Sequence, residues 1–313
     1  MHCPQRLGAL LLPLMLLAAG CSSPPSPIDM TPQFVPGATR LEGVQAFMLL
    51  DATVKEFNGH LGISWHAKVK SSGPQGAVIE ATVVRLVLQT PVGFGIDTDS
   101  FLPLGMLGDL PVLGPLLYKL IGKSFVYVVS PSGEVTVTKW EGIVARAANQ
   151  AGVKAPKDGS IPSQGRLESA LSRAYGAVPY QSMKLGEGTE RSVDYVADGE
   201  GGPRISGRDQ LTYEGFGEAE FDYGSDEMES EGLSLTLGGG VELTGGRSRY
   251  GIIRTGKSRR SGQLIVSENG RELLYYRASH RTKIYPDTEH FWLNGIKIAT
   301  YETGWIFFGD PWD

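Results

Sequence analysis

The chain has 313 residues, of which 20% are charged, and a formal net charge of −5. So mild an acidic balance supplies no cationic surface for nucleic acid or for strong attachment to anionic lipid. With only Cys3 and Cys21 it can build no cysteine-based zinc site, and 42 glycines point to many turns and strands.

Residues 1–20 have the three parts of an export signal: Arg6 near the start, an apolar run from Leu7 to Leu17, and small residues at Ala18, Ala19 and Gly20. That run is too short for a hydrocarbon core, which needs about 20 residues. Leu17-Ala18-Ala19-Gly20-Cys21 resembles a bacterial lipobox. The resemblance implies that the chain is cut before Cys21, whose thiol then carries a diacylglycerol anchor. The alternative is an ordinary secretory signal with an incidental cysteine. In enterobacterial lipoproteins an Asp after the cysteine resembles an inner-membrane retention signal. Ser22 stands here instead, so the expected location is the outer membrane, facing the periplasm. Cleavage would leave Cys21 alone, with no internal disulfide, and would move the net charge to −6 by removing Arg6.

Residues 21–37 carry five prolines and read as an extended tether, with the globular body expected over 38–313. Asn58-Gly59 reads as a two-residue hairpin turn. After it, Leu61, Ile63, Trp65, Ala67 and Val69 alternate with Gly62, Ser64, His66, Lys68 and Lys70, as in a half-buried strand. The run from Ala77 to Thr90 is apolar on both faces and predicts a central strand. Residues 91–123 are leucine-rich but broken by Gly and Pro, which predicts a loop with a short helix around Leu113–Ile121 lying over a sheet.

A hairpin is expected across Ser130-Pro131-Ser132-Gly133. Two one-faced helices should follow. The first carries Trp140, Ile143, Ala147 and Ala151 and ends at Gly152, and the second carries Leu167, Ala170, Leu171 and Ala174 before Gly176. About eight strands should then close the chain, with Asn-Gly hairpins at Asn269-Gly270 and Asn294-Gly295. Residues 187–231 hold fourteen acids against three arginines, and 247–283 hold ten bases against two acids, so acidic strands are expected beside basic ones. The fold class is α+β and strand-dominated: an antiparallel curved sheet or half-open barrel, with two or three short helices packed on it.

No stretch names a reaction. There is no Gly-x-Ser-x-Gly, and alternation places Ser64 and His66 on the solvent face of their strand. His60, His66, His280 and His290 lack metalloprotease spacing. His280 shares a face with Leu274, Tyr276, Ala278 and Ile284, as a core or cavity histidine satisfied by a neighbour would. The run "FDYGSDEMESEG" lacks calcium-loop spacing and reads as a solvated acidic loop, and the glycines of "TLGGGVELTGG" read as turns or bulges. No cofactor is implied. A pair of dispersed carboxylates would leave no local signature, so an enzyme of that kind stays a third alternative.

"LIGKSFVYVVSPSGEVTVTKWEG", a helical stretch, and then "VPYQSMKLGEGTERSVDY" resemble a family of uncharacterised bacterial secreted lipoproteins. The likeness covers about residues 120–285 and rests on turn-forming positions. A Trp is usual just after the second glycine-bearing segment, where this chain has Thr189 and Glu190. The likeness implies an envelope lipoprotein and no particular activity. The parts also resemble the half-open barrels of periplasmic lipoprotein carriers, in which helices close a curved sheet around acyl chains. On that analogy the chain is expected to be non-enzymatic and to bind or carry an apolar envelope ligand such as an acyl chain. Leu104, Leu107, Leu113 and Leu117 would line the cavity, and Cys21 would hold the membrane. The alternative is an assembly or scaffolding lipoprotein that binds envelope proteins.

Overall fold

Period-two patterning builds most of the molecule, and the long strands keep their register over many consecutive pairs. The computed structural model describes residues 26–52, 55–91, 95–99, 113–155, 161–196, 202–224, 226–248, 250–287 and 295–313. In chain order, β1 (Ile28–Asp29) precedes β2 (Thr39–Ala52), β3 (Lys55–Gly73), β4 (Gly76–Gln89) and the short β5 (Gly95–Asp97). Helix α1 (Leu113–Leu120), the hairpin β6 (Ser124–Val129) and β7 (Val135–Thr138), then helices α2 (Trp140–Ala151) and α3 (Gln164–Tyr175) follow. The second half holds β8 (Ser182–Met183), β9 (Gly188–Val196), β10 (Arg204–Tyr223), β11 (Asp226–Thr244), β12 (Gly246–Ser248) and β13 (Gly251–Ile253). It ends with β14 (Gly256–Val266), β15 (Leu273–Pro286) and β16 (Ala299–Gly309).

All strands but β1 and β8, which pair with each other, belong to one 14-stranded antiparallel sheet. Its order is β7-β6-β4-β3-β2-β16-β15-β14-β11-β10-β9, with β5, β12 and β13 as short additions. The protein is thus strand-dominated α+β, with a curved sheet that does not close into a barrel. Val135 of β7 and Leu211 of β10, from opposite ends of the sheet, share one core cluster with Leu117, Trp140, Leu167 and Leu171 of the three helices. The face that gathers both ends and all three helices is the concave one.

Helix α2 buries Trp140, Ile143 and Ala147 on one stripe and ends at Gly152, whose left-handed backbone (φ 69°) lets its N–H reach the carbonyls of Ala148 and Asn149. Helix α3 starts at Ser163, whose side chain accepts from the Arg166 N–H.

The convex face carries an unexpected cover. Among the described residues, the outer parts of β10 and β11, from the Gly217–Gly232 pair outward, pair only with each other and form an arm. Ala219, Phe221 and Tyr223 of the arm pack against Val87, Tyr275, Ile306 and Phe308. The ring centroids of Phe221 and Tyr223 lie 5.3 and 4.9 Å from that of Phe308. Arg85 of β4 fastens the tip, with guanidinium nitrogens 2.5 Å from both Asp97 and Asp226. Gly62 makes room for the arm, because a Cβ there would stand 2.5 Å from the Tyr223 ring.

Several expectations change accordingly. The run "FDYGSDEMESEG" is the arm's hairpin, not a loop, and Ser64 is buried beside Tyr223 whereas His66 is exposed as expected. Within the arm the acidic run pairs with itself, Glu218 opposite Glu231 and Glu220 opposite Glu229, while the rest of β11 lies beside the basic β14 as expected. Apolar contacts on the arm's inner face hold it against that repulsion. Asn58-Gly59 lies inside β3, because unbroken pairing with β2 outweighs a local turn preference. Gly238 to Gly240 likewise lie within β11, and Leu274 faces the convex side, opposite to Tyr276. The Asn294-Gly295 hairpin falls largely outside the described residues. Among the described residues, strand pairing begins at Ile28, ahead of the start expected near Ala38, since β1 pairs with β8 and Met30 is fully buried.

Candidate functional site

The site lies where the sheet fails to close. In a complete barrel the edge strands β7 and β9 would pair, but α3 stands between them. Ser172 of α3 accepts the Val135 N–H at 2.8 Å, and Glu168 accepts the Val137 N–H at 2.9 Å. These side chains occupy the free edge of β7 and so replace a neighbouring strand. The turn before β7 packs on the same helix: a Cβ at Gly133 (φ +81°) would lie 2.7 Å from the backbone of Gly176. On the other flank, Arg173 of α3 stacks over Tyr195 of β9, with the guanidinium carbon 3.6 Å from the ring centroid.

A cleft of about 330 Å³ opens along this seam, lined among others by Ser172 and Arg173 of α3, Arg191 and Tyr195 of β9, and Arg260 of β14. Behind it is a buried polar cluster. The Asp209 carboxylate of β10, fully buried, lies 3.3 Å from Arg191 and 3.4 Å from Arg260 through the same oxygen. Arg260, 2% exposed, also donates to the Tyr276 hydroxyl at 2.8 Å and places its guanidinium carbon 5.4 Å from the Tyr195 ring centroid. Burial works against its charge, but Tyr276, Tyr195 and Asp209 more than offset this and hold its pKa above the ordinary arginine value. His280, the cross-strand neighbour of Arg260, is buried as expected, but no neighbour satisfies its Nε2. Desolvation, with Arg173 and Arg260 adding to it, depresses its pKa to about 3. The imidazole is therefore neutral at ordinary pH. Two guanidiniums thus share one carboxylate oxygen, and Asp209 Oδ1, Arg191 Nε, Arg260 Nε and His280 Nε2 are buried without a hydrogen-bond partner.

A second buried ionic group shows what a finished network looks like in this protein. Glu42 accepts from Arg40 (2.8 Å), from the Trp65 indole (2.8 Å) and from the Tyr127 hydroxyl, while Arg40 also donates to Tyr175 and to the Leu273 carbonyl. No polar side-chain atom of that group is left without a partner. It ties β2, β3, β6 and α3 together. The seam cluster has no such closure.

On the same concave face, beyond the seam cluster, lies a separate apolar layer that includes Leu50, Phe57, Val193, Ile205, Leu243 and Ile284. Val193 belongs to both that layer and the cleft wall. Polar recognition and apolar surface are therefore contiguous.

Of the residues singled out from the sequence, Cys21, Leu104 and Leu107 lie outside the described residues. Leu113 is half-buried against the main core, and Leu117 is fully buried within it. Neither belongs to the seam. Arg173, Arg191, Tyr195, Asp209 and Arg260 were not singled out. A signal existed for two of them: Asp209 and Arg260 fall on the inward phase of strands whose other inward residues are Ile205, Leu211 and Leu264.

The fold thus defines a class: an open antiparallel half-barrel, helix-filled on its concave side, with a polar seam between its edges. No protein-family model and no curated protein matches the chain. Among solved structures it is similar to one described as lipid-protein interactions in lipovitellin, at 10% identity and a TM-score of 0.41. That likeness covers 90% of this chain and 26% of the other, so the chain spans little more than a quarter of its neighbour's length. Among the described residues no helix is long and apolar enough to cross a membrane.

Proposed function

We propose that this protein is a membrane-anchored, non-enzymatic binding protein that holds or carries an acyl-bearing ligand on the concave side of its open sheet. The observation that carries this reading is the seam, where a polar cleft between unpaired sheet edges adjoins an apolar layer. An amphipathic ligand needs both surfaces side by side. Leu104, Leu107 and Leu113, which lead into α1, are the proposed tail contacts, and Leu117 holds that helix in the core. Cys21, seven residues before β1, supports tethering to the periplasmic side of the outer membrane.

Native mass spectrometry of the full chain, followed by solvent extraction, tests this. A non-covalent acyl species that the extract recovers, and that Leu113→Asp abolishes, is the expected result. A ligand-free mass that persists after incubation with phospholipid vesicles would sink it.

One observation favours a scaffolding role instead. Leu116, Leu117 and Leu120 are fully buried, which makes α1 a packing helix, while Phe216 and Leu185 stand 61% and 55% exposed near the arm's base. In that case envelope proteins should cross-link at Phe216 and the lipid extract should be empty.

A further inference from the structure

We propose that Arg173, Arg191 and Arg260 form an oxyanion site at the seam, which takes the carboxylate or phosphate head of the bound ligand. The proposal deepens the acyl-binding reading above and rests on it for the ligand's tail, but the site itself is argued from the cluster alone.

Charge is the first argument. Three guanidiniums line the cleft, and the fully buried Asp209 behind it engages two of them, Arg191 and Arg260, through a single oxygen. Among the described residues two acids line the cleft, and neither pairs with Arg191 or Arg260. Asp194 is held by Arg204 at 2.5 Å on the outer surface, and Glu134 is exposed at the rim.

Unmet hydrogen bonding is the second. Arg260 is 2% exposed, lines the cleft, and keeps its Nε without a partner, as does the Nε of Arg191. A buried donor left unpaired is costly, and a buried cation more so. The Arg40–Glu42 group shows that this fold can satisfy such atoms internally when nothing else is to enter. Guanidiniums suit a carboxylate or phosphate because their planar forks donate two parallel bonds.

Geometry is the third. The three arginines come from α3, β9 and β14, and the guanidinium carbons of Arg173 and Arg260 lie 3.6 and 5.4 Å from the Tyr195 ring centroid. Stacking holds both cations in place without neutralising either. An anion entering from the open side meets cations already positioned, so little side-chain ordering remains to oppose binding.

Equilibrium dialysis of the full chain against labelled palmitate, hexadecan-1-ol and inorganic phosphate tests the site and separates it from the tail reading. The expected result is retention of palmitate well above the alcohol of equal chain length. Arg173→Gln and Arg191→Gln, both at partly exposed positions, should each weaken palmitate binding about ten-fold or more, the loss expected for one charge-assisted hydrogen bond. Circular dichroism melts confirm that each variant is folded, and Arg260→Lys, which keeps the buried charge, serves as a milder third variant. Equal retention of palmitate and alcohol, unchanged in the variants, overturns the oxyanion site and leaves the acyl reading standing. Phosphate retained and lost in the variants, with palmitate held no more tightly, keeps the site and overturns the acyl reading. Retention of none of the three overturns both.

Discussion

At the scale of single residues, the concave face contains two buried ionic groups with opposite logic. Glu42 is surrounded by donors and fixes the fold around it. Asp209 is outnumbered by cations and leaves donors over. His280 records the second environment. Its folded pKa of about 3 is below its unfolded value near 6.5. Between those values the unfolded chain binds a proton that the folded chain refuses, so stability is complete above pH 6.5 and falls as pH drops toward 3. The slope from this one residue approaches 1.4 kcal/mol per pH unit at most, an order-of-magnitude figure. Urea unfolding at pH 7, 6, 5 and 4 should show that fall, and His280→Gln should flatten it. A variant with the same acid slope as the parent would show that His280 is not held neutral. From the sequence, His280 was legible as an inward-facing residue, but its arginine neighbours were not, because they come from β14 and from a helix about one hundred positions away.

At the scale of elements, helix α3 explains why the sheet stays open. Its Ser172 and Glu168 meet the N–H groups with which β7 would otherwise pair. Replacing either by Ala should cost about 1 kcal/mol for the lost hydrogen bond. Hydrogen exchange at Val135 and Val137 should accelerate together with that loss, whereas exchange in β3 should not change. Unaltered protection at both amides would mean that the edge is covered by something other than α3. The helices and the β6–β7 hairpin were legible because their signals are local: a 3.6-residue stripe, a Gly stop and a Ser-Pro-Ser-Gly turn. The arm was not. Its acidic composition suggested solvent, and only the inward phase of Ala219, Phe221 and Tyr223 revealed a surface that needed covering. Asn58-Gly59 failed in the opposite way, since a strong local turn signal yielded to fourteen consecutive register pairs between β2 and β3.

At the scale of the whole molecule, the proposed anchor and the open seam make one testable arrangement. If Cys21 carries acyl chains, Cys21→Ala should release the protein from the membrane fraction and abolish incorporation of labelled palmitate. Each buried methylene contributes about 0.8 kcal/mol to holding it there. Full membrane retention of the variant would remove the tether from the reading and leave the seam untouched.

What the sequence determined by itself was everything with a short period: helix stripes, the inward and outward phases of strands, and hence a strand-rich body with few helices. Those signals are local because side-chain direction repeats every two residues in a strand and every 3.6 in a helix. Only the tertiary structure decided that the sheet bends until β7 and β9 approach, that α3 keeps them apart, and that the arm folds across the back. The arginines at positions 173, 191 and 260 meet for the same reason. Strand phase says which face a residue takes, but curvature and strand order, set by pairing between distant segments, say which residues that face brings together.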